Sequence, residues 1–90
     1  MIENEIKEKL TIALSPNQLD LWDESADHIG HSGNTGGGHF VLRIVSEKFS
    51  NLKRVERHKL IYEALNGLIP KKIHAISVQA LTPEENDNGV

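Results

Sequence analysis

The chain predicts an α+β fold of two layers, with two helices covering one face of a three-stranded mixed sheet. Three observations predict it. Ile2, Ile6, Leu10 and Leu14 recur every four residues, which is one apolar stripe on a helix. His39-Phe40-Val41-Leu42-Arg43-Ile44-Val45 and Ile73 to Leu81 read as strands. Between those strands, Val55, Ile61, Leu65 and Leu68 mark a second helix. A strand, a helix and a strand in that order make a right-handed crossover between parallel strands. Helices on one face of such a sheet form a two-layer sandwich.

The first helix spans about residues 2–14 and ends at Ser15-Pro16-Asn17. Leu19-Asp20-Leu21-Trp22-Asp23-Glu24 alternates in part and predicts a short strand, paired antiparallel with the next. Residues 25–38 hold five glycines and no periodicity. A loop of that length in so small a chain is usually functional or mobile. Phe40, Leu42 and Ile44 share one face of the second strand. Ser46 to Asn51 reads as a connection, with Ser50 or Asn51 as the cap of the second helix. That helix is expected from Leu52 to Leu68, with Val55, Ile61, Leu65 and Leu68 inward, Tyr62 beside them, and Gly67 and Pro70 marking its end. In the third strand His74, Ile76, Val78 and Ala80 are expected on one face. Thr82-Pro83-Glu84-Glu85 has capping-box spacing with proline at the first helical position, so a short last helix begins there. The expected organisation is one domain over residues 1–85 and a flexible tail over 86–90.

Composition narrows the function classes. The chain has 90 residues, 38% hydrophobic and 26% charged, which fits one small soluble domain. It has no cysteine, so disulfide frameworks and cysteine-based zinc or thiol-redox motifs are excluded. The start, Met-Ile-Glu-Asn-Glu-Ile, is acidic and lacks the features of a signal or transit peptide. No apolar run approaches the ~20 residues of a membrane span. The expectation is a cytoplasmic protein that does not engage a membrane. Net charge is −3, unevenly placed. Residues 43–72 carry eight basic and three acidic side chains, a local +5, whereas the remainder carries two basic and ten acidic, or −8. A basic patch suits an acidic partner or a phosphate backbone, while the overall sign opposes strong non-specific nucleic-acid binding.

The chemistry-bearing residues are histidines. His28, His31, His39, His58 and His74 make five in a chain without thiolate. Neutral imidazole ligates zinc, copper and iron, so this chain can supply nitrogen to a metal centre, and any sulfur must come from elsewhere. Each also has a plainer reading: His74 as a satisfied strand histidine, and His58, in Arg57-His58-Lys59, as a packing or hydrogen-bonding residue. Gly36-Gly37-Gly38 lacks the lysine and hydroxyl residue of a phosphate loop and precedes a strand. Gly30-His31-Ser32-Gly33 fits the four-residue pattern of the nucleic-acid-binding KH loop, but that loop joins two helices and this one joins two strands. No nucleophile–base order or paired carboxylates stand out, and the reading is not an enzyme. Lys53, Arg54, Arg57 and Lys59 on the second helix could contact phosphates, although a solvated helix face explains them more simply.

Taken together, ordered blocks resemble the BolA family. They are Asp23-Glu24-Ser25, His39 through Ser46 with Phe49, Arg57-His58-Lys59-Leu60-Ile61-Tyr62-Glu63-Ala64-Leu65, Ile73-His74-Ala75-Ile76-Ser77-Val78, and Leu81-Thr82-Pro83-Glu84. The resemblance implies a KH-like α+β sandwich without a working KH loop. It further implies two activities. One is partnership with monothiol glutaredoxins of the Cys-Gly-Phe-Ser type, either sharing a [2Fe–2S] cluster with the partner and glutathione or forming an apo complex, as a monomer alone and a heterodimer with the partner. The other is DNA binding and transcriptional regulation in stress response and morphology. By the same resemblance His74 ligates the cluster, and a second ligand comes from the loop between the first two strands. His28 corresponds best, His31 is an alternative, and His39 ranks third. Histidine ligation raises a cluster's potential over all-cysteine ligation. Imidazole must be deprotonated to ligate, so cluster binding is expected to weaken below about pH 6.5.

Overall fold

The computed structural model describes residues 2–24, 38–69, 71 and 73–87. The glycine-rich segment with His28 and His31, Pro70 and the last three residues of the expected tail lie outside the described residues.

Helix α1 (Ile2–Leu14) falls where its stripe predicts, and Ile6, Leu10 and Leu14 are buried. The last carbonyls of a helix lack intrahelical partners. Here the buried Ser46 hydroxyl donates to the Leu14 carbonyl at 2.7 Å. The same oxygen accepts the Lys48 N–H at 3.1 Å, capping a 3-10 turn over Glu47–Phe49. One hydroxyl thereby joins the end of α1 to the chain leaving the sheet. Residues 46–51 are more than the simple connection expected, because that turn carries Phe49 into the core with no exposed surface.

Strands β1 (Gln18–Asp23), β2 (Gly38–Val45) and β3 (Ile73–Leu81) lie in the order β1-β2-β3. β1 is antiparallel to β2, and β3 is parallel to it. Leu21, Leu42 and Val78 form one cross-strand row, and Leu19, Ile44 and Ala80 another. Phe40, Leu42 and Ile44 face the helices and form the core with Ile6, Leu10, Phe49, Ile61 and Leu65. The expected two-layer arrangement is therefore the observed one.

Helix α2 (Arg54–Ala64) is shorter than the predicted 52–68. Lys53 is extended, and its N–H donates to the Glu56 carboxylate at 2.8 Å, so the first helical residue is Arg54. Neither Ser50 nor Asn51 is the cap. Asn51 instead turns the chain at a positive φ of 65°. At the other end the chain leaves the helix after Ala64, and Gly67 takes φ +94°, a conformation that favours glycine. Leu65 and Leu68 remain buried beyond the helix. Val55, expected inside, is 73% exposed. Six residues are one and two-thirds turns, which puts Val55 about 120° away from the buried Ile61. Tyr62 is half exposed for a similar reason.

Helix α3 (Pro83–Asp87) starts at the predicted capping box. The Thr82 N–H donates to Glu85 Oε1 at 2.8 Å, and the Glu85 N–H donates to Thr82 Oγ1 at 3.2 Å. Asn86 and Asp87, expected in the tail, belong to this helix, and Asn86 Oδ1 accepts a hydrogen bond from the Arg43 guanidinium.

Gly38 is a tight position. A Cβ there would lie 2.3 Å from the ring of Phe40. That ring is buried and cannot swing clear without disturbing the core. Gly38→Ala should therefore destabilise the fold by about 1–3 kcal/mol in chemical denaturation, as overpacked sites do.

Candidate histidine site

β2 is hydrogen-bonded on both sides, so residues at its start are held from two directions. Glu24 N–H donates to the His39 carbonyl at 2.7 Å, which extends the β1 pairing by one residue. On the other side the register slips. Gly38 faces Ile73, whereas His39 faces Ala75, so His74 is the extra residue of a β-bulge. Such bulges re-aim a side chain and are over-represented beside functional sites.

The slip corrects the expectation that His74 shares a face with Ile76, Val78 and Ala80. Ile73 is fully buried and Ile76 packs against the core, while His74 is exposed. The bulge turns His74 towards the second histidine instead. The His39 and His74 rings lie 4.9 Å apart between centroids, tilted by 36°. A cleft of about 230 Å³ adjoins His74, lined also by Tyr62, Asn66, Ile69 and Ile73. The segment that carries His28 and His31 leaves β1 after Glu24 and re-enters at Gly38, at this same end of the sheet. His58 stands apart. It lines a hollow with Arg54, Arg57 and the Val78–Leu81 part of β3, at the strand's other end. Among the described residues, no group of three or more histidines, aspartates and glutamates is placed to hold a metal ion.

Residues 10–85 match the family model described as BolA-like protein. The chain belongs to the BolA family. It is 45% identical to a BolA-like protein of Dictyostelium discoideum over 93% of this chain and 73% of that protein. It is 37% identical to the DNA-binding transcriptional regulator BolA of Haemophilus influenzae, over 93% of this chain and 80% of that protein. SufE-like protein 1 of Arabidopsis thaliana matches at 42%, but the chain spans only 23% of its length. The solved BolA domain of SufE1 from Arabidopsis thaliana superposes with a TM-score of 0.79 at 44% identity, covering 91% of this chain and 92% of that one. A bol-like protein from Babesia bovis gives 0.80 at 30% identity, over 96% and 90%.

In this BolA chain the basic patch is smaller than the sequence suggests. Sequence places Arg57 at the surface with Lys53, Arg54 and Lys59, yet its side chain is only 12% exposed. Its guanidinium donates to the Leu52 and Ala80 carbonyls, both at 3.0 Å, and pairs with Glu85 at 2.7 Å. The planar fork suits two carbonyls and a carboxylate at once. Arg57 thus fastens α2 to the end of β3 and to α3, and of the four cations read as one patch Lys53, Arg54 and Lys59 are exposed. Sequence reasoning misses this link, although the capping box singles out Glu85.

Glu85 has its pKa lowered from 4.5 to about 2, first by the hydrogen bond from Arg57 and next by that from the Thr82 N–H, with burial opposing. A depressed carboxylate contributes stability that is complete above its unfolded value and lost as pH falls. Unfolding free energy should therefore drop between about pH 4.5 and 2, with a shallower drop in Glu85→Gln. Arg57→Ala should cost about 1–3 kcal/mol near neutral pH, since it leaves the Ala80 and Leu52 carbonyls and a carboxylate without their donor. Denaturant titrations at several pH values check both.

Proposed function

We propose that this chain is a non-enzymatic adaptor that binds a monothiol glutaredoxin and shares a [2Fe–2S] cluster with it and glutathione, in iron–sulfur or iron homeostasis. The adjacency of His39 and His74, at the end of the sheet where the His28 and His31 segment departs and returns, carries the reading. The donor set suits such a group. The chain offers imidazole nitrogen and no thiolate, so it can occupy positions on one iron and leave the other to a partner's sulfur. His74 is the exposed ligand, with His28 or His31 as the loop ligand. His39, held by main-chain bonds at its own carbonyl, either ligates in their place or orients His74 through the ring contact. When bound, the cluster supplies a one-electron centre whose potential histidine ligation sets above the all-cysteine value.

The second reading is a DNA-binding transcriptional regulator. It is favoured by the name of the Haemophilus influenzae relative and by the exposed Lys53, Arg54 and Lys59 on α2. Arg57 contributes little to it, because its guanidinium is occupied within the fold. If DNA binding runs through α2, Arg54→Glu lowers affinity and reduces the salt slope by at least about 1. Unchanged binding removes that reading.

The adaptor reading is tested by co-purification with a monothiol glutaredoxin and glutathione, with visible absorption and circular dichroism of the product. The expected result is a heterodimer with cluster bands. His74→Ala should abolish the bands while shifting stability by no more than about 0.5 kcal/mol, as fits an exposed side chain. His39→Ala should abolish them if it ligates, or weaken cluster retention about 10–100-fold if it only orients His74. Cluster bands unchanged in both variants would rule out the His39–His74 corner as the cluster site.

A further inference from the structure

β3 is an edge strand, and its outer edge is unusual. The Ser46 N–H donates to the Leu81 carbonyl, and the Asn17 N–H donates to the Val45 carbonyl. With the parallel register, this fixes the alternation. Ala75, Ser77, Gln79 and Leu81 hydrogen-bond towards β2. Ile76, Val78 and Ala80 direct their main-chain N–H and C=O groups outward. Arg57 satisfies the Ala80 carbonyl at 3.0 Å. No main-chain partner for the outward groups of Ile76 and Val78 is found among the described residues. Natural edge strands are blunted by charges, prolines or short length. β3 has nine residues, Ile-His-Ala-Ile-Ser-Val-Gln-Ala-Leu, with no lysine, acid or proline among them. Its one irregularity, the bulge at His74, lies at the far end from Val78. Beside this edge is a hollow of about 620 Å³ whose other wall is α2, with Arg54 and His58.

We infer that the outer edge of β3 from Ile76 to Ala80 takes up an extended segment of a partner protein as a fourth strand, one that alternates apolar and acidic residues. The chemistry exposed selects this occupant. Outward N–H and C=O groups on alternate residues of a strand are complementary to another extended main chain. An added strand points every second side chain towards the helix layer, where exposed Arg54 of α2 lines the hollow, so the side chains on that face are acidic. Arg57 is already paired with Glu85, which leaves Arg54 as the exposed arginine of that wall, and the alternate side chains, turned to the open face, are apolar strand formers. A second copy of the chain fits less well. Two-fold pairing of β3 with itself would set two cationic α2 faces side by side, where like charges repel. The outward groups need no metal, so strand uptake is independent of the histidine site.

The test is amide hydrogen exchange of the labelled full chain with a synthetic seven-residue peptide alternating glutamate and valine. In the free protein the amides of Ile76 and Val78 should exchange faster than those of Ser77 and Gln79. Saturating peptide should slow Ile76 and Val78 at least about tenfold and leave Ser77 and Gln79 little changed. A peptide N-methylated at alternate residues should bind at least about tenfold more weakly, since it lacks the pairing donors. Val78→Pro, which removes an outward N–H without breaking the β2 ladder, should abolish the protection, and Arg54→Glu should weaken binding of the glutamate peptide. Absence of protection at Ile76 and Val78 with millimolar peptide would overturn the inference. So would equal binding of the N-methylated peptide, or protection of these amides by concentration-dependent self-association without peptide. His74→Ala should bind the peptide like the parent chain, which separates this outcome from failure of the cluster reading.

Discussion

β2 is paired on both edges, and its strict alternation governs both the core and the candidate site. Phe40, Leu42 and Ile44 point into the helix layer and anchor α1 and α2. The main-chain groups of His39, Arg43 and Val45 engage β1, so the intervening residues are left to hold β3. Moving this strand by one residue would turn every core side chain to the open face. The fold avoids that shift in the parallel pair by confining the irregularity to one end, between Gly38 and His39. There the absence of a Cβ on Gly38 lets the Phe40 ring lie against the main chain, and the bulge sets His74 beside His39.

A second constraint operates at the other end of the sheet. Arg57, reached from α2, occupies the Ala80 and Leu52 carbonyls and the Glu85 carboxylate. The Ser46 hydroxyl ties α1 to the chain beyond β2. These polar anchors sit where helix ends and a strand edge leave main-chain groups without regular partners. They fix the crossover at its base, opposite the end that carries the histidine pair. The chemistry-bearing end is held from both sides by strand pairing of β2.

Most of the architecture is legible in the sequence because each element carries its own period. The four-residue stripe of α1, the apolar run of β2 and the Thr82–Glu85 capping box each fix an element from local residues. The errors arise where tertiary partners decide. Nothing local distinguishes Val55 from a core residue; only the phase set by Ile61 and Leu65 does. Arg57 reads as a surface cation because its acceptors come from β3 and α3, 23 and 28 residues away. The pairing of His39 with His74 is hidden for the same reason, since a bulge is a property of two strands and not of either sequence. The family resemblance ranks His39 below His28 and His31, yet it is the histidine found beside His74 among the described residues.

The central claim is that imidazoles of this chain hold one end of a shared cluster. The most direct measurement is pulsed electron paramagnetic resonance of the reduced mixed complex, with this chain alone carrying nitrogen-15 histidine. The account predicts strongly coupled nitrogen-15 nuclei from two imidazoles, and no cluster signal at all in His74→Ala. A reduced cluster showing no strong nitrogen-15 coupling would place its ligands entirely on the partner and glutathione, and would contradict the account.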